Sequence, residues 1–377
     1  MCSMVELQDI MRQYGGDYRK SHVLSAGESK AITAIQTCRT AAQGAHVDHC
    51  DECGYEHISY NSCRNRNCPK CQTFAKEEWV DRQRQYLIDR QYFHVVFTVP
   101  AGLRPVFYQN QGKMYNLLFK AAAQSLLELC ADGKYLGAKP GITTILHTWG
   151  QNLSFHPHLH CVVTGGGLTG LGTWKDSRKK FFIPVKVLSR KFRGKLMYLF
   201  KQERFEYFGS IAHLNDVGRL GGLIDKLYSS DWVVYCKPPF GCAQKVIDYL
   251  GRYTHRVAIS NNRIICLEDG IVTFRWRDYS DGNKQKTMSL SAEEFVRRFM
   301  MHVLPSGFRK IRHYGILASR DKTKRIALCK ILTGTTFSVK TESMLERLVR
   351  ILGIDFNLCP SCKSGHLSRA SPHIVQN

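Results

Sequence analysis

Residues 142–163, ITTILHTWGQNLSFHPHLHCVV, decide the fold. Two runs rich in β-branched and aromatic residues, Ile142 to Trp149 and Phe155 to Val163, flank a short Gly-Gln-Asn-Leu-Ser turn, and this pattern predicts an antiparallel hairpin. Another strand is predicted at Tyr92 to Val99, and apolar residues at helical spacing from Gly102 to Cys130 predict one or two helices. Strands and helices thus alternate around a largely antiparallel sheet, which is an α+β fold.

The second strand of this hairpin carries His156, His158 and His160 at every second position. Because successive side chains of a strand point to opposite faces, the three imidazoles lie on one face. A divalent metal is the efficient partner for such a group, and a hydrogen-bonded structural cluster is the alternative. His147 on the opposed strand and Gln151 at the turn could reach across as further ligands. The hairpin contains no Asp or Glu, which argues against a zinc hydrolase and favours Mg²⁺ or Mn²⁺ beside a phosphate.

A second motif is a tyrosine pair, Tyr249 and Tyr253, spaced at i and i+4 in a segment with helical periodicity, residues 243–256. An aromatic pair at this spacing is commonly core, but this helix is basic. Its cations include Lys245, Arg252, His255 and Arg256. A phenol of ordinary pKa is only about 0.1% ionised at neutral pH, so a tyrosine nucleophile needs adjacent cations or a metal-polarised phosphate. Here Arg252 or Arg256 could stabilise the charge that develops. Attack on a DNA phosphodiester would leave a phosphotyrosine and a free 3′ hydroxyl.

Six of the 15 cysteines crowd into residues 38–71. Cys50 with Cys53, and Cys68 with Cys71, form two C-x2-C pairs at a separation close to that which completes one tetrahedral zinc site. The sequence between the pairs is too polar to fold by apolar burial, so we expect structural zinc to supply its folding free energy.

Two other sets of cysteines leave alternatives open. Cys38 and Cys63, with histidines nearby, could form a second metal site or remain free thiols. Cys359 and Cys362 form a single C-x2-C near the C-terminal end of the sequence. One such pair is too little to predict a further zinc site.

The charge of the chain predicts a polyanionic partner. Lys and Arg number 54 against 31 Asp and Glu, a net charge of +23, and nucleic acid is the usual polyanion for a protein this basic. The candidates for DNA contact are Arg64, Arg66, Lys70 and Lys245. A merely solvated basic face is the alternative interpretation. The candidates for stacking on unpaired bases, or for core packing, are Trp149, Trp174, Trp232 and Trp276.

The N-terminal sequence lacks the basic start and apolar run of a signal peptide, and no apolar stretch is long enough to span a membrane. We therefore expect a cytoplasmic protein with no membrane partner. In a reducing compartment, metal binding and packing explain cysteines better than disulfides do.

The sequence divides into five regions by composition and pattern. They are a helical leader at 1–30, a zinc-binding domain at 31–76, a domain at 77–260 that contains the histidine hairpin and the tyrosine helix, a basic β-hairpin and helical region at 261–330, and a tail at 331–377.

His158-Leu159-His160 followed by Tyr249-x3-Tyr253 resembles the HUH endonucleases with two tyrosines. Four longer phrases extend the resemblance, namely YNSCRNRNCPKCQ, HTWGQNLSFHPHLHCVVTGGG, YLGRYTHRVAISNNRI and FVRRFMMHVLPSGFRKIRHYG. With them the chain is similar to the rolling-circle transposases of the insertion sequence 91 family from about Cys38 to Gly315.

The resemblance implies an HUH endonuclease core, an antiparallel sheet flanked by helices, behind an N-terminal zinc-binding domain and followed by a basic C-terminal region. It implies cleavage of single-stranded DNA at the ends of a mobile element, 5′ phosphotyrosine intermediates and transfer of one strand to a target. His158 and His160 match the metal-binding pair, and Tyr249 and Tyr253 match the nucleophiles. For the third ligand we favour His147, then Gln151 and His156. Host replication machinery is an expected partner, and the oligomeric state is left open.

Two rival functions remain at this point. A rolling-circle replication initiator of a plasmid or phage would use the same two motifs, although the zinc module and the C-terminal phrases favour a transposase. A non-catalytic zinc-dependent DNA-binding regulator would keep its function without His158 and both tyrosines.

Overall fold

The structure is a computed structural model. It describes residues 5–178, 182–240, 245–246, 249, 251, 254–255, 257–279, 281–336, 342–343, 346–347, 349–350, 353 and 355–369. The described helices are α1 (Leu7–Ser21), α2 (Ala26–Thr37), α3 (Pro69–Arg84), α4 (Arg104–Gln109), α5 (Gln111–Ala131), α6 (Val185–Lys201), α7 (Val217–Ser229), α8 (Ala292–Met300) and α9 (Lys322–Thr333). Among the described residues of the tyrosine segment, 243–256, five are helical, namely 245, 246, 249, 251 and 254. None of the described helices is long and apolar enough to cross a membrane.

The strands form three sheets. They are β1 (Ala45–Cys50), β2 (Glu56–Tyr60), β3 (Tyr92–Thr98), β4 (Lys139–Trp149), β5 (Phe155–Leu168), β6 (Trp174–Asp176), β7 (Val234–Phe240), β8 (Ile264–Glu268), β9 (Ile271–Asp278), β10 (Lys284–Ser291), β11 (Ile311–Gly315) and β12 (Leu367–Arg369). The largest sheet has the order β11-β4-β5-β3-β7, with β6 on β5, and all of its pairings are antiparallel. The predicted hairpin, the predicted strand before it and the α+β fold class are thereby confirmed.

The two faces of this central sheet have different roles because side chains alternate along each strand. On β5, Leu159, Cys161 and Val163 pack into the main apolar core with α5 and α6. Val162 faces the other way and packs with Tyr249 of the tyrosine segment. The even-numbered residues of this strand, histidines included, therefore share the face on which Val246 and Tyr249 pack.

The predicted leader is part of a second core. Leu7 and Ile10 of α1 pack with Phe274 of β9 and Phe295 of α8. The predicted hairpin after residue 262 is confirmed as β8 and β9, and a third antiparallel strand, β10, extends it. Helix α3 begins with Pro69 in its first turn, where the missing N–H of proline is tolerated.

The cysteine pairs do not meet as predicted. Cys68 and Cys71 lie at the start of α3 beside Cys38, which ends α2, and Cys63 completes that group. Cys50 and Cys53 lie on the β1 side of a separate hairpin, so our expectation of one site made by the two pairs was wrong.

A second correction concerns the segment assigned to the tail. Strand β12 pairs with β1, which brings Cys359 and Cys362 to Cys50 and Cys53. The sequence could not show this contact, because more than 300 residues separate the partners, as in the 306 between Cys53 and Cys359.

Candidate metal and tyrosine site

Three histidines converge at the centre of the large sheet. His158 and His160 come from β5, and His147 of β4 is the register partner of His158. One ring nitrogen from each lies within 4.8 Å of the other two, and the Nε2 atoms of His158 and His160 are 3.1 Å apart. Two ligands at right angles on a metal, each at about 2.1 Å, would lie about 3 Å apart, so the group fits a divalent ion.

The tautomer of His158 is set by the main chain. Its Nδ1 lies 2.7 Å from the carbonyl oxygen of His156. Because a carbonyl can only accept, Nδ1 carries the proton and Nε2 keeps a lone pair for a metal. His156 thus contributes a carbonyl, and its own ring lies outside the group of three. Burial, with His158 and Arg104 nearby, lowers the pKa of the His156 imidazole to about 4, so this ring is neutral at neutral pH.

Gln151 lies away from the histidines. Its side-chain Nε2 donates to the hydroxyl of Tyr279 at 3.1 Å, and its main-chain carbonyl oxygen accepts from Arg263. The turn directs this side chain toward the sheet of β8, β9 and β10, which we call the C-terminal sheet. This placement corrects our expectation of Gln151 as a metal ligand and leaves His147 as the third donor in the group.

Tyr249, the first residue of the tyrosine pair, lies next to the histidine group. Its side chain is 5% exposed and packs on the sheet against Tyr92, Ile145 and Val162. Its hydroxyl oxygen lies 3.1 Å from Nδ1 of His160. The remaining residues of the predicted catalytic set lie outside the described part of the chain, namely Tyr253, Arg252 and Arg256.

A fourth histidine, His94 of β3, was missed by the sequence analysis. Its Nε2 lies 2.5 Å from the Tyr249 hydroxyl and 3.0 Å from Nδ1 of His160. Burial, Lys237 and His158 lower the pKa of His94 to about 3, so its imidazole is neutral at neutral pH. The signal was present in strand alternation, because Phe93 enters the main core and His94 must therefore face the site.

Two of the residues expected to contact DNA are engaged inside the protein. The Arg66 guanidinium donates to the carbonyl oxygens of Leu304 at 2.9 Å, Pro305 at 2.7 Å and Phe308 at 2.7 Å. These hydrogen bonds connect the zinc-binding domain to the loop after α8. Burial also lowers the pKa of Arg66.

Lys70 is engaged in a similar way. Its Nζ pairs with the Glu6 carboxylate at 2.5 Å and donates to Oε1 of Gln8 at 2.9 Å. These contacts correct our expectation that Arg66 and Lys70 face phosphate. Arg64 and Lys245 are both exposed and stay as candidates.

A basic cavity opens where the hairpin turn meets the C-terminal sheet. Its volume is about 390 Å³. It is lined by Gln151, Asn262, Arg263, Arg275, Trp276, Arg277, Tyr279 and Gln285. Guanidinium groups beside aromatic rings suit a nucleotide, because the cations attract phosphate and the rings stack on bases.

The cysteines around α3 form a compact group. Sγ of Cys71 lies 3.6 Å from Sγ of Cys38 and 3.6 Å from Sγ of Cys63, and the Cys68 and Cys38 sulfurs are 3.7 Å apart. Four sulfurs in a tetrahedron around zinc at about 2.3 Å would be about 3.8 Å apart. The donor set and spacing therefore suit structural zinc.

Comparison with known proteins agrees with this organisation. Residues 10–99 match a family described as "Transposase zinc-binding domain", and residues 141–325 match one described as "Putative transposase". The chain is 45% identical over 373 residues to "Putative transposase y4qJ" of Sinorhizobium fredii, covering 96% of this chain and 94% of that protein. It is 30% identical over 312 residues to "Transposase for insertion sequence element IS801" of Pseudomonas savastanoi pv. phaseolicola, covering 80% and 74%. No solved structure matches the chain.

Proposed function

The chain belongs to the insertion sequence 91 family of transposases, and from this premise we propose that it nicks and joins single strands of DNA at the ends of its element through 5′ phosphotyrosine intermediates. One observation carries the proposal. The Tyr249 hydroxyl is 3.1 Å from a nitrogen of His160, a member of the histidine group. A tyrosine that served only to fill the core would not require its hydroxyl to contact a group of histidines that can bind a metal.

The metal in this proposal is held by His147, His158 and His160. When bound, a divalent ion polarises the scissile phosphate and orients it. The group is made of imidazoles alone, with no carboxylate of the described residues in it. Since Mg²⁺ strongly prefers oxygen ligands, we expect Mn²⁺ to bind this site more tightly than Mg²⁺.

His94 positions the nucleophile. Its neutral imidazole accepts a hydrogen bond from the Tyr249 hydroxyl at Nε2, which directs a lone pair of the phenol oxygen away from the histidine. During attack the phenol gives its proton to water, a bond forms between the phenol oxygen and the phosphorus of the scissile phosphate, and the bond from that phosphorus to the 3′ oxygen breaks. The 3′ oxygen takes up a proton and leaves as a hydroxyl. In the reverse step this hydroxyl, or that of a target strand, attacks the phosphotyrosine, so joining needs no ATP.

The zinc-binding domain, through the exposed Arg64, and the tyrosine segment, through the exposed Lys245, are proposed to contact the DNA strand. The sequence places Tyr253 one helical turn beyond Tyr249, which would let one tyrosine hold a cut end while the other makes a second cut. A replication initiator would use the same tyrosine chemistry, but the matches to both the zinc-binding and the transposase families favour a transposase.

Covalent trapping tests the proposal. Labelled single strands from both ends of the element are incubated with the full chain and Mn²⁺, with or without EDTA, and resolved on a denaturing gel. We expect an adduct with Mn²⁺ that EDTA abolishes and that is lost in Tyr249→Phe with Tyr253→Phe. Tyr198→Phe, at an exposed position of α6, is the control that keeps it. If the protein binds the DNA but forms no adduct with any of the strands in the presence of Mn²⁺, catalysis is refuted and a DNA-binding regulator is favoured.

A further inference from the structure

Two cysteine pairs from opposite ends of the chain face each other beside the small sheet, which consists of β12, β1 and β2. Sγ of Cys50 is 3.7 Å from Sγ of Cys362, and Sγ of Cys53 is 3.7 Å from Sγ of Cys359. All four sulfurs lie within 4.8 Å of one another. A disulfide would need about 2.05 Å, whereas tetrahedral zinc needs sulfurs about 3.8 Å apart. We propose that these four cysteines bind a second structural zinc ion that ties the C-terminal segment to the N-terminal domain.

Backbone amides near both cysteine pairs donate hydrogen bonds to the cysteine sulfurs. The N–H of Cys53 donates to Sγ of Cys50 at 3.5 Å, and the N–H of Gly365 donates to Sγ of Cys362 at 3.3 Å. Hydrogen bonds from amides stabilise the negative sulfur that zinc binds. The two pairs make equivalent contacts, with one amide on one sulfur in each, which is expected of two halves of a single site.

The two chain segments also meet closely at the main chain. The N–H of Asp51 donates to the carbonyl of His366 at 3.1 Å, and the N–H of His366 donates to Oδ1 of Asp51 at 2.7 Å. A Cβ atom on Gly365 would lie 2.5 Å from Sγ of Cys50, a distance that no side chain tolerates. Glycine is therefore required where the C-terminal segment passes over the sulfur.

Apolar packing gives this region little support. None of the four cysteines belongs to an apolar cluster among the residues that the structure describes, whereas Cys38, Cys68 and Cys71 of the other group do. Ile58 on β2 and Leu358 near β12 are 55% and 40% exposed. A small sheet with so little buried surface needs another source of folding free energy, and a bound metal supplies it.

The second site is independent of the tyrosine chemistry, so its test does not use nicking activity. The full chain is expressed with zinc in the medium, and zinc per chain is measured by elemental analysis and native mass spectrometry. We expect at least two zinc ions per chain in the unaltered protein, because the histidine group also offers nitrogen ligands to zinc. The double variant C359S/C362S should contain one zinc ion fewer, and C266S, on β8 away from both groups, should contain as many as the unaltered protein.

Either of two results overturns the proposal, namely one zinc ion in the unaltered protein or equal zinc contents in C359S/C362S and the unaltered protein. A mass deficit that shows a disulfide among these cysteines also overturns it. If C359S/C362S does not fold, Co²⁺ titration of the unaltered apoprotein decides instead. Two equivalents with thiolate charge-transfer absorption support the second site, and saturation at one equivalent contradicts it. Limited proteolysis adds a readout, because C359S/C362S should release its C-terminal segment faster than C266S.

Discussion

At the scale of single residues, His94 shows how a site can depend on a side chain that no motif marks. Its 2.5 Å contact with the Tyr249 hydroxyl and its 3.0 Å contact with His160 link the proposed nucleophile to a proposed metal ligand. The two motifs found in the sequence are far apart in the chain, and a histidine on a third strand lies between their side chains.

Replacing His94 by Phe keeps a ring in the strand but removes the acceptor for the Tyr249 hydroxyl. We expect the rate of adduct formation to fall about 10- to 100-fold, the range for loss of a residue that orients a reacting group, while Mn²⁺ affinity changes less. Single-turnover adduct kinetics and calorimetry measure the two quantities. His94→Gln, which retains an acceptor, should recover part of the rate, and the exposed His213→Phe should leave it unchanged. Equal rates in His94→Phe and the unaltered protein would remove His94 from the mechanism.

The third metal ligand is a separate question at the same scale. His147 lies within the group of three nitrogens, and the Gln151 side chain bonds to Tyr279 instead. We therefore expect His147→Ala to weaken Mn²⁺ binding by at least about 10-fold and Gln151→Ala to leave it nearly unchanged. Isothermal titration calorimetry on the zinc-loaded protein distinguishes them, and the opposite ranking of the two variants would contradict the assignment.

At the scale of elements, strand alternation carried most of what the sequence could predict. The hairpin of β4 and β5 and the shared face of its histidines follow from a period of two, which is local. The partners of Cys50 and Cys53 could not be predicted, because a C-x2-C pair indicates that its two cysteines bind one metal ion together. It does not indicate which distant pair completes the metal site. Strand alternation could place His94 on the face of the site, but its contact with Tyr249, like the internal contacts of Arg66, depends on tertiary neighbours.

The C-terminal sheet is the element that we expect to hold bases. Tyr279 is 70% exposed at the edge of the basic cavity, beside Trp276 and Arg277. Loss of one stacking ring typically costs about 1–3 kcal/mol, so Tyr279→Ala should weaken binding of a single-stranded oligonucleotide by about 5- to 150-fold. Fluorescence anisotropy at fixed salt measures this. Tyr198→Ala removes an equally accessible tyrosine from α6 and serves as the control. The same affinity in both variants would exclude the cavity as a DNA contact.

At the scale of the whole molecule, buried neutral histidines make stability depend on pH. Burial lowers the pKa of His302 to about 4 and that of His94 to about 3, below the ordinary value of 6.5. Below pH 6.5 the unfolded chain takes up protons that the folded chain refuses, so the free energy of unfolding decreases as pH falls. Each such group contributes up to about 1.4 kcal/mol per pH unit, down to its folded pKa.

We test this with His302, because it lies outside the metal group and bonds to the carbonyl of Leu153 at 3.1 Å. Urea unfolding at pH 7 and pH 5 should show a lower midpoint at pH 5. His302→Gln should start from a lower stability at pH 7 but lose less between the two values. If the unaltered protein and the variant lose the same amount, His302 is not one of the titrating groups.

The central claim is that a tyrosine of the segment around Tyr249 becomes covalently linked to DNA. Trypsin cuts this segment after Lys245, Arg252 and Arg256, so it separates VIDYLGR, which contains Tyr249, from YTHR, which contains Tyr253. After nuclease trimming of a Mn²⁺-dependent adduct, mass spectrometry should find a nucleotide on one or both of these peptides. A nucleotide on any other peptide, or an adduct that survives replacement of both tyrosines, would contradict the account.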